Sequence, residues 1–199
     1  WGKDDERGAL NFIGPEQVLN AAKLVRSGRV IALAQPLSAQ TPVPSHRAPV
    51  QHFMGRDGGD YAAGGKRPGG FQFAEDTVIM PLHVGTHIDA LCHAWHDDRL
   101  YNGFSANGIR STTGAARCGI DKMGPIVARG VLLDVAGVAG SALAAGTVVS
   151  LKLLEAAAER AAVTVERGDV VLIRTGWWET MAAHPQYFEA EPGIDVEAA

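Results

Sequence analysis

Features that would assign this sequence to a protein class at once are scarce. It has only two cysteines, Cys92 and Cys118, which are too few for a disulfide framework. No apolar run approaches the roughly 18 residues of a membrane-spanning helix. No run of lysine or arginine forms a footprint for nucleic acid or lipid, and the net charge of −4 is mild. We therefore expect a small molecule as the partner, and neither nucleic acid nor a membrane.

The same scarcity of cysteine favours a reducing compartment, and we expect a cytoplasmic protein. The opening residues, WGKDDERGAL, are charged and do not resemble a secretion signal. Because the chain opens without Met, a mature secreted form stays an alternative. Hydrophobic residues make up 46% and charged residues 20%, which is ordinary globular usage. Residues 1–199 suffice for one domain with a real core and show no linker to a second.

Hydrophobic periodicity and turn residues predict alternating helices and strands. One helix begins at Pro15 and ends before Gly28, and another, capped by Ser150, covers residues 151–162. Four short apolar runs bounded by turn residues predict strands at residues 30–34, 77–82, 130–135 and 169–174. The expected fold class is therefore α/β, in one domain.

A stretch rich in glycine and proline, residues 36–75, is predicted to be irregular, either as a lid or binding loop or as a disordered segment. It contains His52 beside an aromatic residue, which suits a lid over a small cyclic substrate. We expect His52 and Trp177 to contact substrate. For the pair Trp177 and Trp178, the alternative is that one packs in the core and the other covers an oligomer contact.

Potential metal ligands concentrate in residues 83–98, which hold four of the seven histidines and three aspartates. A single histidine is usually a surface residue or a core residue with satisfied hydrogen bonds. Packing gives no reason to gather so many ionisable groups behind an apolar run, because burial without partners costs several kcal/mol. The cluster therefore indicates a metal site. His96, Asp97 and Asp98 are weaker candidates, and a solvated turn is the favoured explanation of Asp97 and Asp98.

The spacing within the cluster predicts which side chains converge. Pro81 and Gly85 argue against a helix, so we expect a strand that leads into a turn. A turn at Gly85 would bring His83 and His87 together, and Asp89 would point to the same side as His87 in an extended segment. Two imidazoles and one carboxylate suit Zn²⁺ or Mn²⁺ and leave coordination positions open for water.

The run HVGTHIDALCH, residues 83–93, resembles the HxGTHxD…H signature of the putative cyclase family of metal-dependent hydrolases. This family includes bacterial kynurenine formamidases and isatin hydrolases. The opening WG and GALN, the later LYNG, and GD followed by TGW are similar to its longer members. The resemblance implies a swivelling β/β/α domain with a mixed sheet and flanking helices, usually in dimers or larger assemblies. It also places His83, His87 and Asp89 at metal-ligand positions and His93 at the catalytic histidine.

The sequence departs from the family pattern in two ways. Many members have proline where this chain has Leu91, which sets it apart from the formamidase branch. Binuclear formamidases complete a second metal site with a later histidine and glutamate, and His184 stands in no motif that matches that role.

The last residues predict a chain longer than the one given. A turn and an Asp195 cap begin a helix that stops before a full turn has formed, and the longer family members continue further. We expect an extension beyond Ala199, and apolar surface near residues 169–174 that is exposed or covered by a neighbouring chain. An intact mass of the source protein that matches 199 residues would contradict the extension.

Together these observations predict a metal-dependent hydrolase that cleaves an amide, lactam, formamide or ester bond of a small cyclic or aromatic substrate through metal-activated water. His93 would pass a proton to the leaving atom. Thr86, or a backbone N–H near Gly85, would orient a metal ligand. A non-catalytic metal- or ligand-binding domain and a structural protein with an incidental histidine cluster are the alternatives. Cys92 is expected to be a small buried thiol rather than a nucleophile.

Overall fold

A computed structural model describes residues 1–183 and 187–198 of the chain. The chain divides into two compact units, one formed by Trp1–Arg29 with Asp89–Ala199 and the other by Val30–Ile88. The single domain expected for residues 1–199 stays a prediction. Within the described ranges, no helix combines the length and the apolar character needed to cross a membrane.

Short helices and strands alternate along the chain, with irregular backbone between them. The helices are α1 (Pro15–Lys23), α2 (Gly58–Ala62), α3 (Val135–Ala139) and α4 (Leu151–Ala161). The strands are β1 (Gln51–Arg56), β2 (Glu75–Ile79), β3 (Ile109–Arg110), β4 (Gly114–Ala115), β5 (Gly130–Leu133), β6 (Val148–Val149), β7 (Val170–Ile173) and β8 (Gly193–Ile194). The expected mixture of helices and strands is confirmed, whereas the swivelling β/β/α arrangement stays a prediction.

Each of these strands pairs with one other strand in a two-stranded sheet. The pairs β1–β2 and β3–β4 are antiparallel, and the pairs β5–β7 and β6–β8 are parallel. The connection from β5 to β7 contains α3, β6 and α4, as a parallel pair requires a long crossover. In the part of the chain that the structure describes, six short 3-10 helices accompany these elements, at Gly8–Phe12, Pro68–Gly70, Tyr101–Gly103, Ala106–Gly108, Ile120–Lys122 and Trp177–Ala183.

The core of the larger unit forms around β5 and α4. Along β5, Val131 and Leu133 are buried while their neighbours are exposed, the alternation of a strand with one face on the core. The Ser150 side chain accepts a hydrogen bond from the Leu153 N–H and starts α4, which confirms the predicted cap. Burying an aliphatic side chain such as Val131 or Leu133 stabilises the fold by about 1.5–3 kcal/mol. The buried cluster comprises Val131, Leu133, Val135, Leu143, Val149, Leu154 and Ala157.

One predicted strand is wrong, and the first predicted helix is shorter than expected. Residues 30–34 form no strand, and Val30, Ile31 and Leu33 are largely exposed. Their apolar character predicts a strand, but no other segment hydrogen-bonds to them in the described structure, and a strand needs a partner for its backbone groups. Helix α1 begins at Pro15 as predicted but ends at Lys23, and Gly28 lies beyond its end with a φ of 63°.

The unit Val30–Ile88 is built on a hairpin that the sequence did not predict. Strand β1 lies within the stretch predicted to be irregular, and it pairs with β2 from Gln51↔Ile79 to Arg56↔Glu75. The register shifts between Met54 and Arg56, which is a bulge. Buried Tyr61 joins α2 to the approach to β2, because its hydroxyl donates to the Phe73 carbonyl at 2.7 Å and accepts from the Phe73 N–H at 2.9 Å.

An apolar groove of about 1080 Å³ lies beside β7. Leu154 and Ala158 of α4 line one side, Val171 and Ile173 of β7 line the other, and Ala198 also contributes. Val171 is 38% exposed. The exposed apolar surface expected near residues 169–174 is therefore present.

The N-terminal segment is held to residues 101–118 by two carboxylates. Asp5 accepts hydrogen bonds from the Tyr101 hydroxyl and the Asn11 amide, both at 2.6 Å, and from the Gly8 N–H at 3.0 Å. The Tyr101 hydrogen bond is the main reason that the pKa of Asp5 falls to about 2. Glu6 accepts from the Cys118 N–H at 2.7 Å and from Arg117 at 2.8 Å, which lowers its pKa also.

Replacing Asp5 by Asn should destabilise the protein, and the loss should depend on pH. Asp5 has a folded pKa of about 2 against an ordinary value of 3.8, so its contribution is present above 3.8 and is lost as the pH falls toward 2. Urea unfolding of the wild type and the variant should therefore differ at neutral pH and converge as the pH falls to about 2. Exposed Asp4, changed to Asn, is the control. Equal effects of the two substitutions at neutral pH would contradict the role of Asp5.

Candidate metal centre

The backbone between the two candidate histidine ligands reverses at Gly85. Strand β2 ends at Ile79, three residues before its predicted end, and a series of bends follows to residue 86. Gly85 has a φ of +62°, in the left-handed region that favours glycine. A Cβ atom there would lie 3.0 Å from Leu37 Cδ2 and 3.6 Å from Thr41 Cγ2. The turn predicted at Gly85 is confirmed, its left-handed conformation favours glycine, and a Cβ atom there would crowd the Leu37 side chain.

The turn brings together three side chains that could hold a metal. One ligand atom each of His83, His87 and Asp89 lies within 4.8 Å of the others. The two imidazole rings meet edge to face, with centroids 5.2 Å apart and planes at 77°. Tetrahedral coordination at 2.0–2.2 Å places ligand atoms roughly 3.4 Å apart, so small side-chain rotations would close the set on one ion. The donor types and their spacing therefore fit a divalent cation such as Zn²⁺ or Mn²⁺.

Backbone contacts hold the two histidines of this group. His87 Nδ1 lies 2.9 Å from the Gly85 carbonyl oxygen. Because a carbonyl oxygen only accepts hydrogen bonds, Nδ1 carries the proton, and Nε2 is the ring nitrogen whose lone pair could bind a metal. The Gly85 carbonyl is thus one group that orients His87. Orientation of a metal ligand by Thr86 or by a backbone N–H near Gly85 stays a prediction. The Arg47 guanidinium donates to the His83 carbonyl and holds the other end of the turn.

Thr86 ties the turn to a distant part of the same unit. Its hydroxyl oxygen accepts a hydrogen bond from the Gln35 N–H at 3.0 Å. This contact positions the backbone between His83 and His87 against residue 35. An orienting contact from Thr86 to a metal ligand stays a prediction.

His93 lies on an exposed turn after the cluster. Its backbone N–H donates to the Ala90 carbonyl at 2.9 Å, and the preceding Cys92 N–H donates to the Cys118 carbonyl at 3.2 Å. The predicted catalytic imidazole is therefore carried on backbone that two hydrogen bonds anchor at residues 92 and 93, and His93 is exposed.

His52 has a carboxylate partner that the sequence did not predict. Its Nε2 lies 2.7 Å from Asp76 Oδ2 across the β1–β2 hairpin, and the side chains are 48% and 57% exposed. In the register of the hairpin, Asp76 stands opposite Met54 and His52 opposite Val78, so the contact is diagonal. A strand prediction for residues 51–56 would have identified this pair.

Trp177 occupies a packed position. It is 5% exposed, its indole N–H donates to the Tyr187 carbonyl at 3.1 Å, and its ring stacks on the Tyr187 ring at 5.4 Å. Trp178 is 46% exposed. This placement fits the alternative in which one tryptophan packs in the core. Substrate contact by Trp177 stays a prediction.

The weaker candidates near the cluster form an exposed ion pair. His96 Nδ1 lies 3.1 Å from Asp97 Oδ2, and the two side chains are 93% and 88% exposed. This supports the solvated turn as their explanation. His184 lies outside the described residues.

Comparison with known proteins identifies the family. A family model described as Putative cyclase matches residues 31–199. A crystal structure described as a novel cyclase is 36% identical to this chain, with a TM-score of 0.90, and the match covers 99% of this chain and 70% of that one. No protein of curated function matches. The chain belongs to the cyclase family.

Replacing any one of His83, His87 and Asp89 by Ala should abolish metal binding, because each supplies one of three ligand atoms. Metal content measured on protein purified without a histidine tag should fall to background in each variant. In a metal-loaded crystal, the three ligand atoms should lie about 2.0–2.3 Å from the ion. His96→Ala is the matched control, since it removes an exposed histidine of the same segment. A variant lacking all three ligands that still binds as much metal as the wild type would rule out this centre.

Proposed function

We propose that this chain is a metal-dependent hydrolase that cleaves a C–N bond of an amide, lactam or formamide, or an ester bond, in a small cyclic or aromatic substrate. The observation that carries the proposal is the convergence of His83, His87 and Asp89 around the left-handed turn, in a chain of the cyclase family. Two neutral imidazoles and one carboxylate form a ligand set that leaves coordination positions open, as hydrolytic centres require.

The chain's own residues would prepare this centre before substrate arrives. When bound, a divalent metal supplies Lewis acidity and lowers the pKa of water from 15.7 toward about 7. The Gly85 carbonyl fixes the His87 tautomer, so that Nε2 is the ligand atom. Asp89 supplies one negative charge, so a divalent cation bound to this ligand set would keep a net positive charge. That charge would attract the carbonyl oxygen of a substrate. Zn²⁺ and Mn²⁺ both suit these ligands.

His93 is proposed as the proton-transfer residue. Imidazole takes up and releases protons near neutral pH, which suits transfer to the leaving nitrogen or oxygen of an amide or ester. The hydrogen bonds of the Cys92 and His93 backbone restrict the path of the turn that presents the ring. The identity of residue 93 in the signature motif is a second, independent support.

His52 is proposed as a substrate-binding residue, with Asp76 as its positioning partner. The Asp76 carboxylate accepts a hydrogen bond from His52 Nε2, which holds the ring in place. Nδ1 of the same ring could then contact a polar group of the substrate. Both residues lie on the exposed β1–β2 hairpin, so a ligand can reach them. We also expect Trp177 to contact substrate and Thr86 to orient a metal ligand. The family resemblance further predicts assembly into dimers or larger oligomers.

Replacing His93 by Ala should leave the metal content near normal and lower turnover by roughly 10²–10⁴-fold, the usual contribution of a general acid or base. Hydrolysis would be measured with a panel of cyclic amides, formyl-aryl amides and aryl esters, with Zn²⁺ and with Mn²⁺. His96→Ala, in the same segment, should retain full turnover.

The possible outcomes separate the proposal from its alternatives. Loss of metal in His93→Ala would make His93 a ligand rather than a proton-transfer residue. A wild-type protein that binds metal yet hydrolyses no member of the panel would support a non-catalytic metal- or ligand-binding domain on the same fold. A wild-type protein without metal affinity would support an incidental histidine cluster.

A further inference from the structure

The two cysteines of the chain lie side by side in the larger unit. The Cys92 N–H donates to the Cys118 carbonyl with an N···O distance of 3.2 Å. With about 1.5 Å from N to Cα and about 2.4 Å from carbonyl oxygen to Cα, the two Cα atoms lie at most about 7 Å apart. Neither bond points along the line between the Cα atoms, so the separation is shorter than this limit. This limit lies close to the upper end of the range of about 4.4–6.8 Å that disulfides span.

The two thiols differ in accessibility. Cys118 is 1% exposed, whereas Cys92 is partly exposed. Cys118 is also held in place, because its N–H donates to Glu6 at 2.7 Å and its sulfur lies 3.9 Å from the Tyr101 carbonyl. An accessible thiol beside a buried and anchored one is the arrangement of an attacking and a resolving cysteine.

We propose that Cys92 and Cys118 form a dithiol site that low-molecular-weight disulfides, such as oxidised glutathione, convert to an intramolecular disulfide. The proposal is independent of metal binding and of hydrolysis. It assigns a chemical use to two residues that the proposed reaction does not need.

Two thiol–disulfide exchanges account for all atoms and electrons. The Cys92 thiolate attacks one sulfur of glutathione disulfide, which forms a mixed disulfide and releases one glutathione. The Cys118 thiolate then attacks Cys92 Sγ, which forms the protein disulfide and releases the second glutathione. The two protein thiols are oxidised, the glutathione disulfide is reduced, and the two thiol protons end on the two glutathiones.

The second exchange should be the slower one. Burial is the main cause that raises the pKa of the Cys118 thiol, and the charge of Glu6 adds to it. A raised pKa leaves less Cys118 thiolate at neutral pH. Formation of the Cys92–Cys118 disulfide should therefore accelerate as the pH rises. The charged and titratable groups that act on this thiol are Glu6, Cys92 and Asp5, which raise its pKa, and Arg117, which lowers it.

The Cys92–Cys118 disulfide would join two parts of the larger unit. The bond would connect the residue before His93 to the segment that Glu6 anchors, and would enclose residues 93–117 in a loop. Closing a loop of this length constrains the unfolded chain. The oxidised protein should therefore unfold at a temperature higher by roughly 5–10 °C than the reduced protein.

The test is oxidation of the reduced, full chain with glutathione disulfide, followed by acid quenching and intact-mass measurement. The wild type should lose two hydrogen atoms in mass, keep no glutathionyl group at the end point, and return to its original mass with dithiothreitol. Proteolytic mapping should find the fragments with Cys92 and Cys118 joined.

Two single variants are the controls. Cys92→Ser should not react, and Cys118→Ser should accumulate the mixed disulfide at Cys92 at least about tenfold above the wild type. Mapping of the wild type tests the proposal even where the Cys118 variant does not fold. A wild type that stays glutathionylated at Cys92, forms only an intermolecular disulfide, or does not react would overturn the proposal.

Discussion

The geometry of the candidate metal centre depends on one backbone constraint, the left-handed conformation of Gly85. The chain must reverse between His83 and His87, and the space around Gly85 is closed by Leu37 at 3.0 Å from the position of a Cβ atom. Any other residue would meet both the conformational cost and this contact. The Gly85 carbonyl then accepts from His87 Nδ1, so the same residue sets the path of the backbone and the tautomer of one ligand.

The features that the sequence predicts well are those set by neighbours along the chain. The donor set at His83, His87 and Asp89, the cap at Ser150, and the strand at residues 130–133 depend on local spacing or on a bounded apolar run. Pairing between distant segments is harder to predict. Residues 30–34 have the composition of a strand but no partner, and β1 has a partner but lies in a stretch whose glycine and proline content predicts irregular backbone.

The interactions missed at the site have the same cause. The contact between His52 and Asp76 requires both β1 and its register with β2, and neither can be read from residue types alone. The contact of His87 Nδ1 with the Gly85 carbonyl oxygen depends on the backbone conformation of the turn, which residue types alone do not specify. Side-chain chemistry thus predicted which groups converge, whereas backbone orientation decided which atoms they present.

The exposure of the ligands limits where metal affinity can come from. His83 is half-buried, and His87 and Asp89 are exposed, so water competes for each ligand atom and a low dielectric adds little to their attraction for a cation. Affinity must then depend on how much conformational freedom the ligands lose on binding. A flexible segment would lose up to about 1–2 kcal/mol per ordered residue. The Gly85 turn, the Arg47 contact to the His83 carbonyl and the Gln35 contact to Thr86 restrict this segment before any metal arrives. Preorganisation of the backbone, rather than burial, is therefore the property of this chain that would make these three side chains, two of them exposed, into a metal centre.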